Sequence, residues 1–249
     1  MNSLMNALQE PFRDRYQIQQ QLGKKAGRQT FLAIDNETQQ PVVIKLLSFN
    51  KDFEWDDLKL FEREAETLKS LNHPAIPCYL DFFEVDLPHS KGVALVQSYI
   101  PAKSLEAQLK AGRRFSEPEV KQLAIALLEI LSYLHSQQPP VIHRDIKPSN
   151  ILLGERSGNF VGQVYLVDFG SVQTLAATEG GTITVVGTYG YMPPEQFGGR
   201  AVPASDLYSL GATLIYLTTG KHPAELPQIN LKLHEPKICK PQFLVREVD

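Results

Sequence analysis

The segment His143-Arg144-Asp145-Ile146-Lys147-Pro148-Ser149-Asn150, followed after a short hydrophobic stretch by Asp168-Phe169-Gly170, constrains this chain more than any other feature. Between the two polar motifs lie Ile151-Leu152-Leu153 and Val164-Tyr165-Leu166-Val167, apolar runs that flank Gly154, Ser157 and Gly158. Short apolar runs bounded by such turn residues read as a hairpin. A hairpin at this point folds the two motifs onto one another, so their side chains are expected to share one site.

The 249 residues are 43% hydrophobic and 21% charged, an ordinary globular composition with room for one large core or two modest ones. A net charge of −3, without any basic run of five or more residues, gives no general attraction to nucleic acid or anionic membrane. Cys78 and Cys239 are too few and too far apart for a disulfide framework or a CxxC zinc site, so they read as core thiols in a reducing cytosol. Met1 to Pro11 lacks the basic-then-apolar order of a secretory signal. The most apolar helical stretch, Leu207 to Leu217, spans about eleven residues where a bilayer needs about twenty. It reads as a buried core helix, and a cytoplasmic protein without a transmembrane segment is expected.

The first hundred residues read as β-rich with one helix. Tyr16-Gln17-Ile18, Phe31-Leu32-Ala33-Ile34 and Val42-Val43-Ile44-Lys45-Leu46-Leu47 form a strand meander punctuated by turn residues. Glu54 to Leu71 is helical, with Leu60, Phe61, Glu64, Leu68 and Leu71 near the 3.6-residue repeat. That places the Glu64 carboxylate on the inward face, where it needs a cation. Cys78 to Val85 and Val93 to Tyr99 complete a five-stranded antiparallel sheet, and Ile100 to Lys103 reads as a connector. From Ser104 the pattern turns helical. Ser116-Glu117-Pro118-Glu119 predicts a helix start with a capping box, Phe115 and Val120 are placed to act as a hydrophobic staple, and the helix ends near His135.

The residue types at the opening motifs suit phosphoryl transfer: Asp145 accepts a hydroxyl proton, while the oxygen donors Asn150 and Asp168 hold hard divalent cations against nucleotide phosphates. With Val43-Ile44-Lys45, Glu64 and Gly187-Thr188-Tyr189-Gly190-Tyr191-Met192-Pro193-Pro194-Glu195, the set resembles the protein kinase superfamily. More narrowly, it is similar to the bacterial serine/threonine protein kinases. The resemblance covers roughly Tyr16 to Pro223. It implies an α+β, bilobal fold: a five-stranded antiparallel upper sheet with helix C, and a mainly helical lower lobe that ends short after helix F. It divides the chain into an extension (1–15), a kinase domain (16–225, with lobes at about 16–100 and 101–225) and an atypical tail (226–249).

The resemblance also implies the roles of individual residues. Asp145 is the catalytic carboxylate, Lys147 a donor to the transferred phosphate, Lys45 the clamp on the α- and β-phosphates, and Glu64 the residue that orients it. Asn150 and Asp168 are the magnesium ligands. Gly23, Lys45, Ser98, Ile100 and Leu152 form the nucleotide-binding set, with Gln97 at the gatekeeper position. Lys147 points to a serine or threonine acceptor on a protein. His143, Phe169 and Leu68 match an internal hydrophobic stack, and Asp206 matches the buried anchor of the catalytic loop. Thr174, Thr178, Thr182 and Thr184 are candidate phosphorylation sites with Arg144 as their partner, and Thr188 is a structural hydroxyl near substrate.

Two departures keep a second reading open. Lys25 and Arg28 stand where the second and third glycines of the phosphate-covering loop belong, and their side chains either hinder phosphate approach or supply charge to it. The proline-broken residues after Gly220 do not resemble further helices, which leaves Glu195 without the family's arginine, Arg246 being a conceivable substitute. The leading expectation is an ATP- and magnesium-dependent protein serine/threonine kinase. The alternative is a nucleotide-binding or scaffold module with impaired catalysis.

Overall fold

The computed structural model describes residues 12, 15–25, 27–51, 53–87, 90–174 and 186–226, with short strands at 228–229 and 232–233. Its upper part is a five-stranded antiparallel sheet of β1 (Tyr16–Lys25), β2 (Arg28–Asp35), β3 (Pro41–Ser48), β4 (Tyr79–Leu87) and β5 (Ser90–Ser98), in the order β1-β2-β3-β5-β4. Strand β3 is central and almost wholly buried, which is why its sequence is a run of aliphatic residues rather than an alternation. Period-2 geometry nevertheless sorts its side chains. Val42, Ile44 and Leu46 join Phe31, Ala94 and Val96 in one core. Val43, Lys45 and Leu47 look to the other face, where Lys45 is paired in register with Leu95, and Val43 with Gln97.

Helix α1 (Trp55–Ser70) covers that second face. Its buried Phe61, Glu64, Ala65 and Leu68 follow the expected repeat, and Asp56 and Asp57 in the first turn complement the helix dipole. Phe61 meets Phe82 of β4 with ring centroids 6.0 Å apart.

Below the sheet come β6 (Lys103–Ser104), α2 (Leu105–Lys110), α3 (Glu117–His135), β7 (Val141–Ile142), β8 (Ile151–Leu153), β9 (Val164–Leu166), β10 (Gln173–Thr174), α4 (Pro194–Phe197) and α5 (Pro203–Thr219). The predicted hairpin is present, with Ile151 opposite Leu166 and Leu153 opposite Val164. Helix α3 starts where the capping residues say it should: the Glu119 carboxylate accepts from the Ser116 N–H at 2.9 Å and from the Ser116 hydroxyl at 2.8 Å. Phe115 and Val120 are both buried in the large lower core, which also takes Leu123, Leu127 and Leu134.

Three expectations need correction or qualification. Cys78 is exposed rather than a core thiol. It precedes the edge strand β4, whose register shifts between Tyr79 and Asp81, so its side chain has no second layer to pack under. Helix α5 is buried on one face only. That face carries Ser205, Asp206, Ser209 and Thr213 among its apolar residues, while Leu207 is exposed. Glu195 has a partner after all, because the Ser205 hydroxyl donates to it at 2.7 Å. After α5 come a 3-10 turn at Pro223–Glu225 and a small hairpin of β11 (Gln228–Ile229) and β12 (Lys232–Leu233). Thr178, Thr182, Thr184, Cys239 and Arg246 lie outside the described residues, as do most of the expected N-terminal extension and tail. No helix among the described residues is long and apolar enough to cross a membrane.

Candidate active site

A cavity of about 910 Å³ lies between the sheet and the β8–β9 hairpin. Of the ten residues that the sequence nominates for the site, all but Lys147 line it. Lys147 reaches the same point from outside the wall, through its contact with Asp145.

The upper wall presents Lys45. Its ammonium donates to Glu64 Oε1 at 2.5 Å and to Asp168 Oδ1 at 2.7 Å. Burial alone lowers a lysine pKa, but here the two carboxylates, Asp168 first, outweigh burial and hold Lys45 above its ordinary value. Glu64 is 2% exposed. A carboxylate that deep stays ionised only with a fixed cation beside it, so the pair is mutually dependent.

The lower wall is the His143–Asn150 loop, and its backbone is held from beneath. The carboxylate of Asp206 is 0% exposed and accepts from the His143 N–H at 2.9 Å and the Arg144 N–H at 2.8 Å. It also lies 2.9 Å from His135 Nε2, which donates to it. These bonds stabilise a left-handed backbone at Arg144, φ 65°, a conformation that costs a non-glycine residue on the order of 1 kcal/mol. Asp168 is left-handed too, φ 66°. From this base Asp145 projects into the cavity. Its carboxylate accepts from Lys147 Nζ at 2.7 Å, from Asn150 Nδ2 at 2.9 Å and from the Thr188 hydroxyl at 2.7 Å. Lys147 also donates to Thr188 Oγ1 at 2.6 Å, so Thr188 joins the site directly.

His143 belongs to the packing beneath. Its ring meets Phe169 edge-on with centroids 4.9 Å apart, and Phe169 shares a core with Leu68. The Asp145 N–H donates to His143 Nδ1 at 3.3 Å, so the other nitrogen carries the proton and donates to the Val167 carbonyl at 3.2 Å. The first of these contacts requires a neutral ring, and burial pushes the pKa down although the bond to Val167 opposes it. Arg144 is turned inward. Its guanidinium donates to the Ser171 and Val172 carbonyls and to Gln173 Oε1, and burial, with Arg63 nearby, lowers its pKa to about 10.

The end of β5 and the connector after it offer backbone groups. Ser98 N–H is committed to the Cys78 carbonyl and the Ile100 carbonyl to Ala102 N–H, while Ile100 N–H donates to no group among the described residues. The residues also fit a hard cation. Asn150 Nδ2 is spent on the carbonyl and carboxylate of Asp145, which leaves Oδ1 as its acceptor. With the Asp168 carboxylate this is a sparse, all-oxygen donor set, the kind that magnesium shares with waters and phosphate oxygens.

Sequence reading missed two contributors. The sequence marks His135 only as a helix end, yet its side chain supports Asp206. Gln196 is 1% exposed and ties the catalytic loop to the segment above it, donating from Nε2 to the Arg144 carbonyl at 2.7 Å and the Val186 carbonyl at 2.6 Å. Its one signal was its place directly after Pro193-Pro194-Glu195.

Residues 16–244 match the family model described as protein kinase domain. The chain is 43% identical over 178 residues to serine/threonine-protein kinase B of Synechocystis sp., an alignment covering 68% of this chain and 29% of that protein. It is 38% identical over 226 residues to serine/threonine-protein kinase PknA of Nostoc sp., covering 86% and 38%. A more distant relative is PrkC of Bacillus subtilis, 32% identical over 214 residues. The chain spans less than half the length of these curated relatives.

Proposed function

This chain belongs to the protein kinase domain family, and from that membership we propose that it transfers the γ-phosphate of ATP to serine or threonine hydroxyls of a protein substrate. The observation that carries the reading is the convergence on one cavity of a buried Lys45–Glu64 pair, Asp168, and an Asp145 carboxylate fixed by three donors.

In this reading the acceptor hydroxyl lies against Asp145, which takes its proton as the new O–P bond forms and the bond to the leaving diphosphate breaks. Lys147, shared between Asp145 and Thr188, neutralises charge on the transferred group. Lys45 holds the non-transferred phosphates, and Glu64 keeps its flexible stem in place. Asn150 and Asp168 would hold magnesium, which supplies charge neutralisation at the phosphate oxygens. Ser98, Ile100 and Leu152 line the adenine end, with Gly23 above the phosphates. Catalysis is then chiefly positioning and electrostatics.

The Lys45–Glu64 pair and the Asp145 cluster are both intact, which favours the enzyme over the binding-module reading. The test is incorporation of radiolabel from γ-labelled ATP, with magnesium, into the protein itself and a generic serine/threonine substrate. Wild type is expected to label, and Asp145→Ala and Asp168→Ala are not. Equal labelling by all three would refute the mechanism. A wild type that neither labels nor gains thermal stability with magnesium and ATP would refute the enzyme.

A further inference from the structure

Arg28 opens β2 at the edge of the cavity, and its side chain crosses to the first turn of α1. Its Nη2 donates to Asp57 Oδ1 at 2.9 Å and to the Asp57 carbonyl at 3.3 Å. The other amine turns towards the site. A methyl group built on Gly170 would lie 3.8 Å from Arg28 Nη1, 3.2 Å from Glu64 Oε2 and 3.5 Å from Asp168 Oδ1. One small volume is therefore walled by Arg28 and by the two carboxylates that hold Lys45.

Arg28 aside, the helix is held at this end by partly buried packing only, Leu58 against the core and Trp55 edge-on to Phe53. Its first turn has no side-chain cap, Trp55 is exposed, and its buried positions begin only at Phe61. Asp57 and Glu64 are seven residues apart, two turns along one face, and both line the cavity. A force applied at Asp57 is thus transmitted along a rigid element to Glu64. The sequence left two roles for the cation at position 28, obstruction of phosphate or direct binding to it. The guanidinium is already engaged with the helix, and this favours a third.

We propose that Arg28 is a positioning residue that straps α1 to the β1–β2 hairpin and, through the helix, keeps Glu64 on Lys45. The inference rests on the phosphotransfer reading above for its consequence in catalysis, while the strap itself is a property of the fold. It assigns to an arginine, at a position where the family resemblance led us to expect glycine, the task of coupling the hairpin over the phosphates to the helix that orients the lysine.

The experiment measures phosphate transfer by R28A, R28K, D57N and R28A/D57N, beside hydrogen–deuterium exchange over residues 55–70 in wild type and R28A. R28A and D57N are each expected to lower kcat about five-fold with KM for ATP changed less than about two-fold, and the double variant to be no worse than the worse single one. R28K recovers part of the loss, since it keeps the charge but not the planar fork. The first two turns of α1 exchange faster in R28A. A raised KM for ATP in R28A with D57N unaffected would overturn the strap in favour of direct phosphate binding, as would unchanged exchange in α1. If wild type transfers no phosphate, the enzyme reading falls, and the exchange comparison alone still decides whether Arg28 holds the helix.

Discussion

The catalytic loop and the β1–β2 hairpin face the same cavity from opposite sides, and they are held by different means. The loop rests on a buried carboxylate, Asp206, with three donors, and its own Asp145 has three more. The hairpin leaves the core after Ile18: Gln19 to Lys24 are exposed, and the pairing of β1 with β2 shifts register twice. Beyond its ladder, its described link to the helix is the half-exposed pair of Arg28 and Asp57. Buried polar networks fix one geometry because an unmade bond there is expensive, whereas an exposed ion pair contributes roughly 0–1 kcal/mol and permits movement. Asp145 is thus set rigidly, while the β1–β2 hairpin, tied to the helix by one half-exposed pair, has more room to adjust to what enters the cavity.

Substitutions on the two sides should separate accordingly. Asp145→Asn keeps the shape and removes the proposed base, so transfer is expected to fall roughly 10²–10⁴-fold, measured as initial rate of labelling, a loss far larger than the destabilisation from weakening its bond to Lys147 can explain. Asp206→Ala strands two buried backbone N–H groups and should cost about 3 kcal/mol in urea unfolding, with activity lost as well. A cost near zero would break the contrast, since the loop would then be held by something else. Glu64→Gln removes the charge that steadies Lys45 and is expected to lower kcat about ten-fold without unfolding the protein.

Smaller still is the pH effect of His143. Its folded pKa is depressed by burial, and in the unfolded chain it is about 6.5. The unfolded state therefore binds the proton first. The contribution of the neutral ring is complete above about pH 6.5 and declines as pH falls towards and through the folded value, at up to about 1.4 kcal/mol per pH unit. His143→Phe should flatten that part of the curve in urea titrations between pH 7 and pH 5. Least of all, Gly23→Ala should leave stability within about 0.5 kcal/mol, because a Cβ there would meet only the Thr30 Cβ, at 4.0 Å. A raised KM for ATP with unchanged stability would show that the glycine serves the ligand rather than the fold. A large loss of stability would place the hairpin in the same class as the loop.

What could be read in advance follows the same division. The β8–β9 hairpin, the inward Glu64 and the start of α3 were legible because each depends on neighbours within a few residues, through turn chemistry, helical period or capping. Of the site's ten residues, Asp145, Asn150, Asp168 and Glu64 were legible from residue chemistry and period, the others came from the family resemblance, and the cavity brings nine of the ten onto its wall. What escaped depends on pairs distant in sequence. Arg28 and Asp57 are 29 apart, and His135 and Asp206 are 71 apart. No local pattern distinguishes such partners from solvated side chains. The exposure of Cys78 escaped for a related reason: which strand lies at a sheet's edge is decided by the insertion of β5 between β3 and β4, which a list of strands does not specify. Arg144, named as the partner of a phosphothreonine, is engaged by three groups on residues 171–173, while three of the four candidate threonines lie outside the described residues.

The anchoring of the catalytic loop by Asp206 also has a temporal side. The bonds that fix His143 and Arg144 close over sequence separations of 63 and 62 residues. Contacts of that span form late, because the intervening chain must be ordered before they are rewarded. On a ribosome, a nascent chain that has exposed the whole His143–Asn150 motif but not α5 lacks the acceptor for those two N–H groups. The site is complete only once the segment that closes it has been made, so the order of synthesis itself keeps a half-built chain from taking up its working geometry.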